Sequence, residues 1–144
     1  MDAPRFIAQH SSDLARIFYF HGLKQEALAE AQRAASVANE SARFFAGPKA
    51  LSTYARILDD PAQQDELLNE GAQILDEGCV SHNQFFYYSD AIAIMLLRGE
   101  WERADAYAQK LEDFSRSEPL PLIDLICTQA RLLSGAGRLG AAQT

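Results

Sequence analysis

Residues that favour β-strands are scarce in this sequence. It contains two valines and three threonines among 144 residues, and no stretch of six residues alternates convincingly between apolar and polar side chains. Alanine is the commonest residue, and it loses almost no side-chain freedom in a helix, whereas valine and threonine favour strands. The composition therefore predicts one domain, residues 1–144, of the all-α class.

Cysteines and long apolar runs are also few. Cys79 and Cys127 form no C-x-x-C pair, and two isolated cysteines are typical of a protein from a reducing compartment. The first twenty residues include charged side chains and no long apolar run, unlike a signal peptide. The longest apolar stretch, 91–97, is far shorter than the roughly 20 residues of a membrane-spanning helix. We therefore expect a cytoplasmic protein that does not bind membranes.

Positive charge is in short supply. The chain has 13 lysines and arginines against 20 aspartates and glutamates, which gives a net charge of −7. Because neutralisation of phosphates by basic side chains supplies most of the affinity for nucleic acids, an acidic chain without a basic face is a poor nucleic-acid binder. The charge balance excludes nucleic acid from the expected partners.

Motifs of catalysis and of metal binding are missing as well. The sequence contains no G-x-x-x-x-G-K-[ST], G-x-S-x-G or H-E-x-x-H motif. Its three histidines, His10, His21 and His82, have no carboxylate or cysteine at metal-binding spacing. We predict a non-enzymatic protein with no cofactor and no metal.

What the sequence does contain is an internal repeat with a period of 37 to 40 residues. Each copy has a pair of residues, mostly small or apolar, followed three positions later by a large apolar residue, then a turn residue and, in three copies, an alanine. A repeat of this length indicates stacked pairs of helices. The pairs are Leu14-Ala15, Tyr54-Ala55, Ala91-Ile92 and Gln129-Ala130, and the turn residues are Gly22, Ala62, Gly99 and Gly137.

Prolines and glycines delimit the predicted helices. The first helix spans 4–20, the second runs from 23 to about 41, and Gly47-Pro48 is predicted to stop the chain before a helix at about 48–58. Asp60-Pro61 begins a helix at 61–77, with Asp60 as its cap. Ser81 or Asn83 caps the next helix, and another helix begins after Gly99. Pro119 and Pro121 open a further helix, which is predicted to end at Ala136. Gly137 is then predicted to start an incomplete last helix. The repeats are about 4–46, 47–80, 81–118 and 119–144.

The spacing of small residue, turn glycine and alanine resembles the tetratricopeptide repeat. The resemblance is carried by Ala15, Phe18, Gly22 and Ala27 in the first copy and by corresponding residues in the third and fourth. It implies a right-handed α-α superhelix of about four helix-turn-helix repeats, the last one incomplete. Such an array normally closes with a polar capping helix, so we interpret the chain as a segment of a longer protein.

A second resemblance covers roughly residues 80–140. Val80-Ser81-His82-Asn83, then Gly99-Glu100-Trp101-x-x-Ala104 and Ser117-Glu118-Pro119-Leu120-Pro121, resemble the C-terminal repeat region of large bacterial signalling regulators. Those proteins join an adenylate-cyclase or other signalling domain to an ATPase and a repeat region. The resemblance implies a scaffold module of a bacterial regulator and transfers no catalytic residue.

In tetratricopeptide-like stacks the first helices of the pairs line a concave groove that holds a protein segment. The resemblance places three arginines there, one position after the small residue in three of the four repeats, where they could bind carboxylates bidentately. The alternative is that they pair with local acids such as Asp59 or Glu66. The predicted groove residues are Arg16, Tyr19, Arg56, Asp59, Phe86, Ser89, Asp124 and Arg131.

These features favour a scaffold that binds a protein or peptide, with acidic segments favoured by the arginines. Two alternatives stay open. One is a domain that self-associates into a homodimer through an open C-terminal hairpin, and the other is a small-molecule-sensing repeat domain with a site around Arg56 and Tyr88.

Overall fold

The computed structural model describes residues 3–142, which are entirely helical apart from short connections and contain no strand. This part of the chain therefore confirms the all-α class. A π-helical turn, Ala38–Ala42, links the second and third helices. The α-helices are α1 (Pro4–Phe20), α2 (Lys24–Val37), α3 (Arg43–Ile57), α4 (Pro61–Glu77), α5 (His82–Arg98), α6 (Trp101–Ser115) and α7 (Pro121–Ala142).

Several helix boundaries agree with the local signals in the sequence. Helices α1 and α4 have the predicted bounds, and the side chain of Asp60 accepts a hydrogen bond from the N–H of Ala62 at 3.1 Å. Gly22 and Gly99 follow α1 and α5 with φ angles of +76° and +72°. Glycine adopts this left-handed conformation without steric cost, which explains why both helices end there.

The prediction that Gly47-Pro48 stops a helix is wrong. Both residues lie inside α3, and the change of chain direction occurs earlier, at Ala42, where φ is −144° and ψ is 26°. A proline inside a helix removes one N–H donor and leaves the carbonyl four residues earlier without its usual partner. In α3 that carbonyl belongs to Phe44, and it accepts a hydrogen bond from the N–H of Val80 at 3.0 Å.

Asn83 bridges the next step of the same helix. Its side-chain amide donates to the carbonyl of Phe45 at 2.8 Å, and its amide oxygen accepts from the N–H of Lys49 at 3.2 Å. A continuous helix would join these two backbone groups directly. Asn83 is fully buried, and an unpaired polar group at that depth would be costly. The residue that the sequence offered as a possible cap of α5 therefore completes the hydrogen bonding of α3.

The predicted turn at Gly137 is also wrong. Helix α7 continues through Gly137 to Ala142, so no second helix of a hairpin begins within residues 121–142. A Cβ atom on Gly137 would lie 2.5 Å from two atoms of the Trp101 ring. Because Gly137 has no side chain, the Trp101 ring can approach α7 closely. In the sequence this packing glycine looks the same as a glycine that ends a helix.

The chain divides into two compact units, residues 1–87 and residues 88–144. In the first unit α1, α2 and α3 pack against one another, and α3 packs against α4. Its core is rich in alanine. One cluster consists of Ala8, Ala34, Ala38, Ala46 and Ala50, and another of Ala15, Ala27, Ala31 and Ile57.

The second unit contains the packed pair α6 and α7. Buried residues of α6 are Ala104, Ala108 and Leu111, and buried residues of α7 are Ile123, Cys127 and Ala130. None of the helices in the described part of the chain is both long enough and apolar enough to cross a membrane.

Candidate protein-binding surface

Two cations lie close to the ring of Phe86 in the first unit. The ammonium of Lys49 lies 4.3 Å from the ring centroid, and the guanidinium of Arg16 lies 5.3 Å from it. Cations within about 6 Å of an aromatic face are attracted by the ring quadrupole. This arrangement brings together α1, α3 and the first turns of α5, and it includes two of the predicted groove residues.

Lys49 is the most buried of these charges. Its side chain is 1% exposed, and its ammonium donates a hydrogen bond of 2.6 Å to Oδ1 of Asp13, whose side chain is 48% exposed. A buried ammonium requires an opposite charge or several hydrogen bonds. Asp13 provides the counter-charge, and the ring of Phe86 provides a polarisable face. The ion pair therefore neutralises the buried ammonium within the chain.

His82 adjoins the same cluster. Burial lowers the pKa of its imidazole, and the positive charge of Lys49 lowers it further, while a hydrogen bond with the backbone of Phe45 acts in the opposite direction. Its ring also contacts that of Phe45 edge to face, with centroids 5.4 Å apart. His82 therefore stays neutral around neutral pH and adds no positive charge to the cluster.

A second cation lies over an aromatic ring at the C-terminal ends of α1 and α3. The guanidinium of Arg56 is 5.4 Å from the ring centroid of Phe20, and Tyr19 contacts Phe20 with centroids 5.8 Å apart. Phe20 is largely exposed. We refer to Arg16, Phe20, Lys49, Arg56 and Phe86 as the cation–aromatic surface.

The structure places the other predicted groove residues in different surroundings. Asp59 forms an ion pair with Lys24, and Arg131 forms one with Glu112 that includes a second hydrogen bond of 2.7 Å. Arg131 also donates to Gln109 at 3.2 Å. Arg131 thus pairs with an acid, as the alternative for the arginines had it, but the acid is Glu112, and Asp59 pairs with a lysine and not with an arginine. Ser89 is half-buried on α5, and Asp124 is exposed on α7.

Sequence reasoning missed Lys49, Asp13 and Phe20. The signal that could have found them is helical register, because residues seven apart lie nearly on the same side of a helix. Lys49 precedes Arg56 by seven residues in α3, and Asp13 precedes Phe20 by seven in α1. Extending the arginine column by helical steps in both directions would have included these positions, because Asp13 precedes Arg16 by three residues and Phe20 follows it by four.

Neither thiol is poised to act as a nucleophile. Burial, helped by the charge of Glu112, raises the pKa of Cys127 to about 11, and burial also raises the pKa of Cys79. Both thiols are therefore protonated at neutral pH, whereas the thiolate is the reactive form. Among residues 3–142 no three histidine, cysteine or carboxylate side chains are grouped closely enough to hold a metal ion.

A cavity of about 470 Å³ lies beside α1 and is lined by residues that include His10, Ser11 and Arg33. Its lining includes neither Arg56 nor Tyr88, around which a small-molecule site was predicted. Tyr88 instead lies near Tyr107, with ring centroids 6.3 Å apart. The cavity therefore adds no support to that alternative.

Comparison of the chain with protein-family models, with curated proteins and with solved structures gives no significant match. The function is therefore argued from the side chains and their geometry.

Proposed function

We propose that this chain is a non-enzymatic interaction module that binds an acidic segment of a partner protein on the cation–aromatic surface. The observation that carries the proposal is the ring of Phe86 with two cations close to it, Lys49 at 4.3 Å and Arg16 at 5.3 Å from its centroid. Aromatic rings and arginines are the side chains most enriched where protein partners bind tightly.

The two arginines supply the charge for a partner. Lys49 already holds the carboxylate of Asp13 at 2.6 Å, so an incoming acidic side chain would have to displace Asp13 in order to reach it. Arg16 and Arg56 are half-buried, and each guanidinium lies against a ring. Contact with a ring limits side-chain freedom before binding, which lowers the entropic cost of holding a carboxylate. A guanidinium can also bind a carboxylate through two parallel hydrogen bonds.

The wider setting of the proposal comes from the repeat pattern. Stacking of α1, α2 and α3 through buried alanines supports a tetratricopeptide-like superhelix, because small residues allow such helices to approach closely. We extend the proposal to a cytoplasmic scaffold within a bacterial regulator, on the resemblance of residues 80–140.

The experiment is capture of partners from a cell lysate with quantitative mass spectrometry. The wild-type chain is compared with Arg16→Glu/Arg56→Glu and with the charge-matched control Arg33→Glu/Arg116→Glu, whose arginine side chains are mostly exposed. Circular dichroism checks that all three have equal helicity. We expect a partner that wild type and control retain and the first variant loses. A partner that all three retain equally would contradict the proposal.

A further inference from the structure

Helix α7 carries a stripe of exposed apolar residues along its length. Leu122, Leu125, Leu132 and Leu139 are 55%, 63%, 69% and 68% exposed. Gln129 and Ala136 are exposed as well and complete the spacing of three and four residues that defines a coiled-coil seam. We call these six residues the leucine stripe.

The stripe faces away from α6. The residues of α7 that are buried, Ile123, Cys127, Ala130 and Ser134, are at positions on the opposite side of the helix, at about 100° per residue. Cys127 contacts α6 directly, with its sulfur 3.5 Å from the carbonyl oxygen of Ala108. Helix α7 therefore has two apolar faces, one packed and one open.

The charges of α7 lie on one edge and leave the stripe uncharged. The helix has three charged residues, Asp124, Arg131 and Arg138, spaced seven apart and so on one line. Arg131 pairs with Glu112, and Arg138 pairs with Asp105 of α6 at 2.7 Å. A line of charges on the stripe would repel or misalign an apolar partner helix, and this sequence has none there.

We propose that the leucine stripe is an interface with a second copy of this chain, in which α7 pairs with α7 about a twofold axis. Two identical stripes are self-complementary in the antiparallel direction. Leu122 then faces Leu139, Leu125 faces Ala136, and Gln129 faces Leu132, so that the small and the polar residue each meet a leucine. Twofold contacts of this isologous kind are the commonest in protein oligomers.

The size of the stripe sets the expected strength of the contact. From Leu122 to Leu139 it is about 26 Å long at 1.5 Å per residue, and a helix about 10 Å wide covers roughly 260 Å² in projection. Standard stable interfaces bury about 800 Å² on each partner. We therefore expect a reversible dimer whose population depends on protein concentration. This contact replaces the C-terminal hairpin as the basis for self-association.

The exposed face of α1 is a weaker candidate for the same role. Leu14 and Ile17 are exposed there, but His10 and the half-exposed Asp13 interrupt the apolar surface. A contact between the α7 stripe of one copy and α1 of another would leave an unused α1 face on the first copy and an unused stripe on the second. Such a head-to-tail contact propagates beyond a dimer unless it closes into a ring, and the mass of the assembly distinguishes the two arrangements.

The test is sedimentation equilibrium from low micromolar to near-millimolar concentration. The wild-type chain should shift from its monomer mass of 15.9 kDa to twice that mass. Leu125→Glu/Leu132→Glu should weaken the dimer at least about 100-fold, because four carboxylates would enter the apolar contact. The control Leu97→Glu/Ala106→Glu adds the same charge at exposed positions of α5 and α6 and should dimerise like wild type.

A gain-of-contact variant guards against loss of folding as the explanation. Gln129→Leu makes the stripe fully apolar and should lower the dimer dissociation constant about tenfold, since a polar residue in the seam reduces stability. The inference is overturned if wild type stays monomeric at every concentration, or if the mass grows beyond a dimer. It is also overturned if Leu125→Glu/Leu132→Glu dimerises as wild type does, or if Gln129→Leu leaves the dissociation constant unchanged. The test involves none of the cation–aromatic residues, so its failure would not affect the proposed function.

Discussion

The first unit and the helix pair α6 and α7 place their charged groups differently. The first unit buries Lys49 and Asn83 completely and satisfies them with Asp13 and with backbone groups of α3. The helix pair α6 and α7 of the second unit keeps its charges at the rim, where Arg138 pairs with Asp105.

This difference has consequences for binding. Buried polar groups that are hydrogen-bonded fix neighbouring side chains in place, and in the first unit the bond to Asp13 holds Lys49 beside Phe86. Separation of charge from apolar surface leaves α7 with a face that suits an apolar partner. The first unit therefore suits recognition of charge, and the second suits recognition of shape.

The largest effect is expected from Asn83→Ala. The substitution leaves the carbonyl of Phe45 and the N–H of Lys49 buried without their bridge, which should lower the free energy of unfolding by about 3 kcal/mol. Urea denaturation followed by circular dichroism measures it. Asn69→Ala, at an exposed position of α4, is the matched control and should change stability by less than about 0.5 kcal/mol. Equal losses in the two variants would show that the bridge does not stabilise α3.

The ion pair of Lys49 gives the next effect. Asp13→Ala leaves a buried ammonium without its counter-charge and should cost about 2 kcal/mol, less than for a fully buried pair because Asp13 is half exposed. Lys49→Met removes the charge itself and should stay within about 1 kcal/mol of wild type. Thermal and urea denaturation of both variants checks the order. If Lys49→Met were the more damaging of the two, the cation would contribute more to stability than this account allows.

In the second unit the sensitive position is a glycine. Gly137→Ala places a methyl group against Trp101 and should destabilise the protein by about 1–2 kcal/mol through overpacking. Gly140→Ala, in the same helix with open space around it, should stabilise by about 0.5–1 kcal/mol because alanine favours helices. Melting temperatures that shift in the same direction for both variants would contradict the close approach of Trp101.

The smallest effect is a dependence on pH. Because the pKa of His82 is lowered in the folded protein, the unfolded chain binds a proton first, near the ordinary value of about 6.5. The contribution of His82 to stability is fully present above about pH 6.5 and is lost as the pH falls through the lower folded pKa. Wild type should therefore lose more stability than His82→Gln between neutral pH and about pH 5. Parallel losses in urea titrations of the two proteins would rule out this contribution.

Local signals in the sequence predicted α1 and α4 to the residue, because Pro4, Gly22 and the Asp60-Pro61 cap act within a few positions of the helix ends. The two errors arose where a distant group overrides the local signal. Val80 and Asn83 satisfy the carbonyls freed around Pro48 from more than 30 residues away, and Trp101 packs on Gly137 from a similar distance.

The cation–aromatic surface was predicted only in part. The repeat register identified Arg16 and Phe86, which contact each other. It did not identify Lys49, although the helix predicted at about 48–58 contains it, because only the position after the small residue of each repeat was considered. Lys49 precedes Arg56 by seven residues and so shares a side of α3 with it.

The most direct test of the proposed function is the salt dependence of binding, measured with the strongest partner that the capture experiment yields. If Arg16 and Arg56 bind carboxylates near the surface, affinity for the wild-type chain should fall as salt increases, since screening weakens such contacts. Arg16→Glu/Arg56→Glu should bind weakly at every salt concentration, whereas Arg33→Glu/Arg116→Glu should follow wild type. Affinity that is independent of both salt and the two surface arginines would contradict the account.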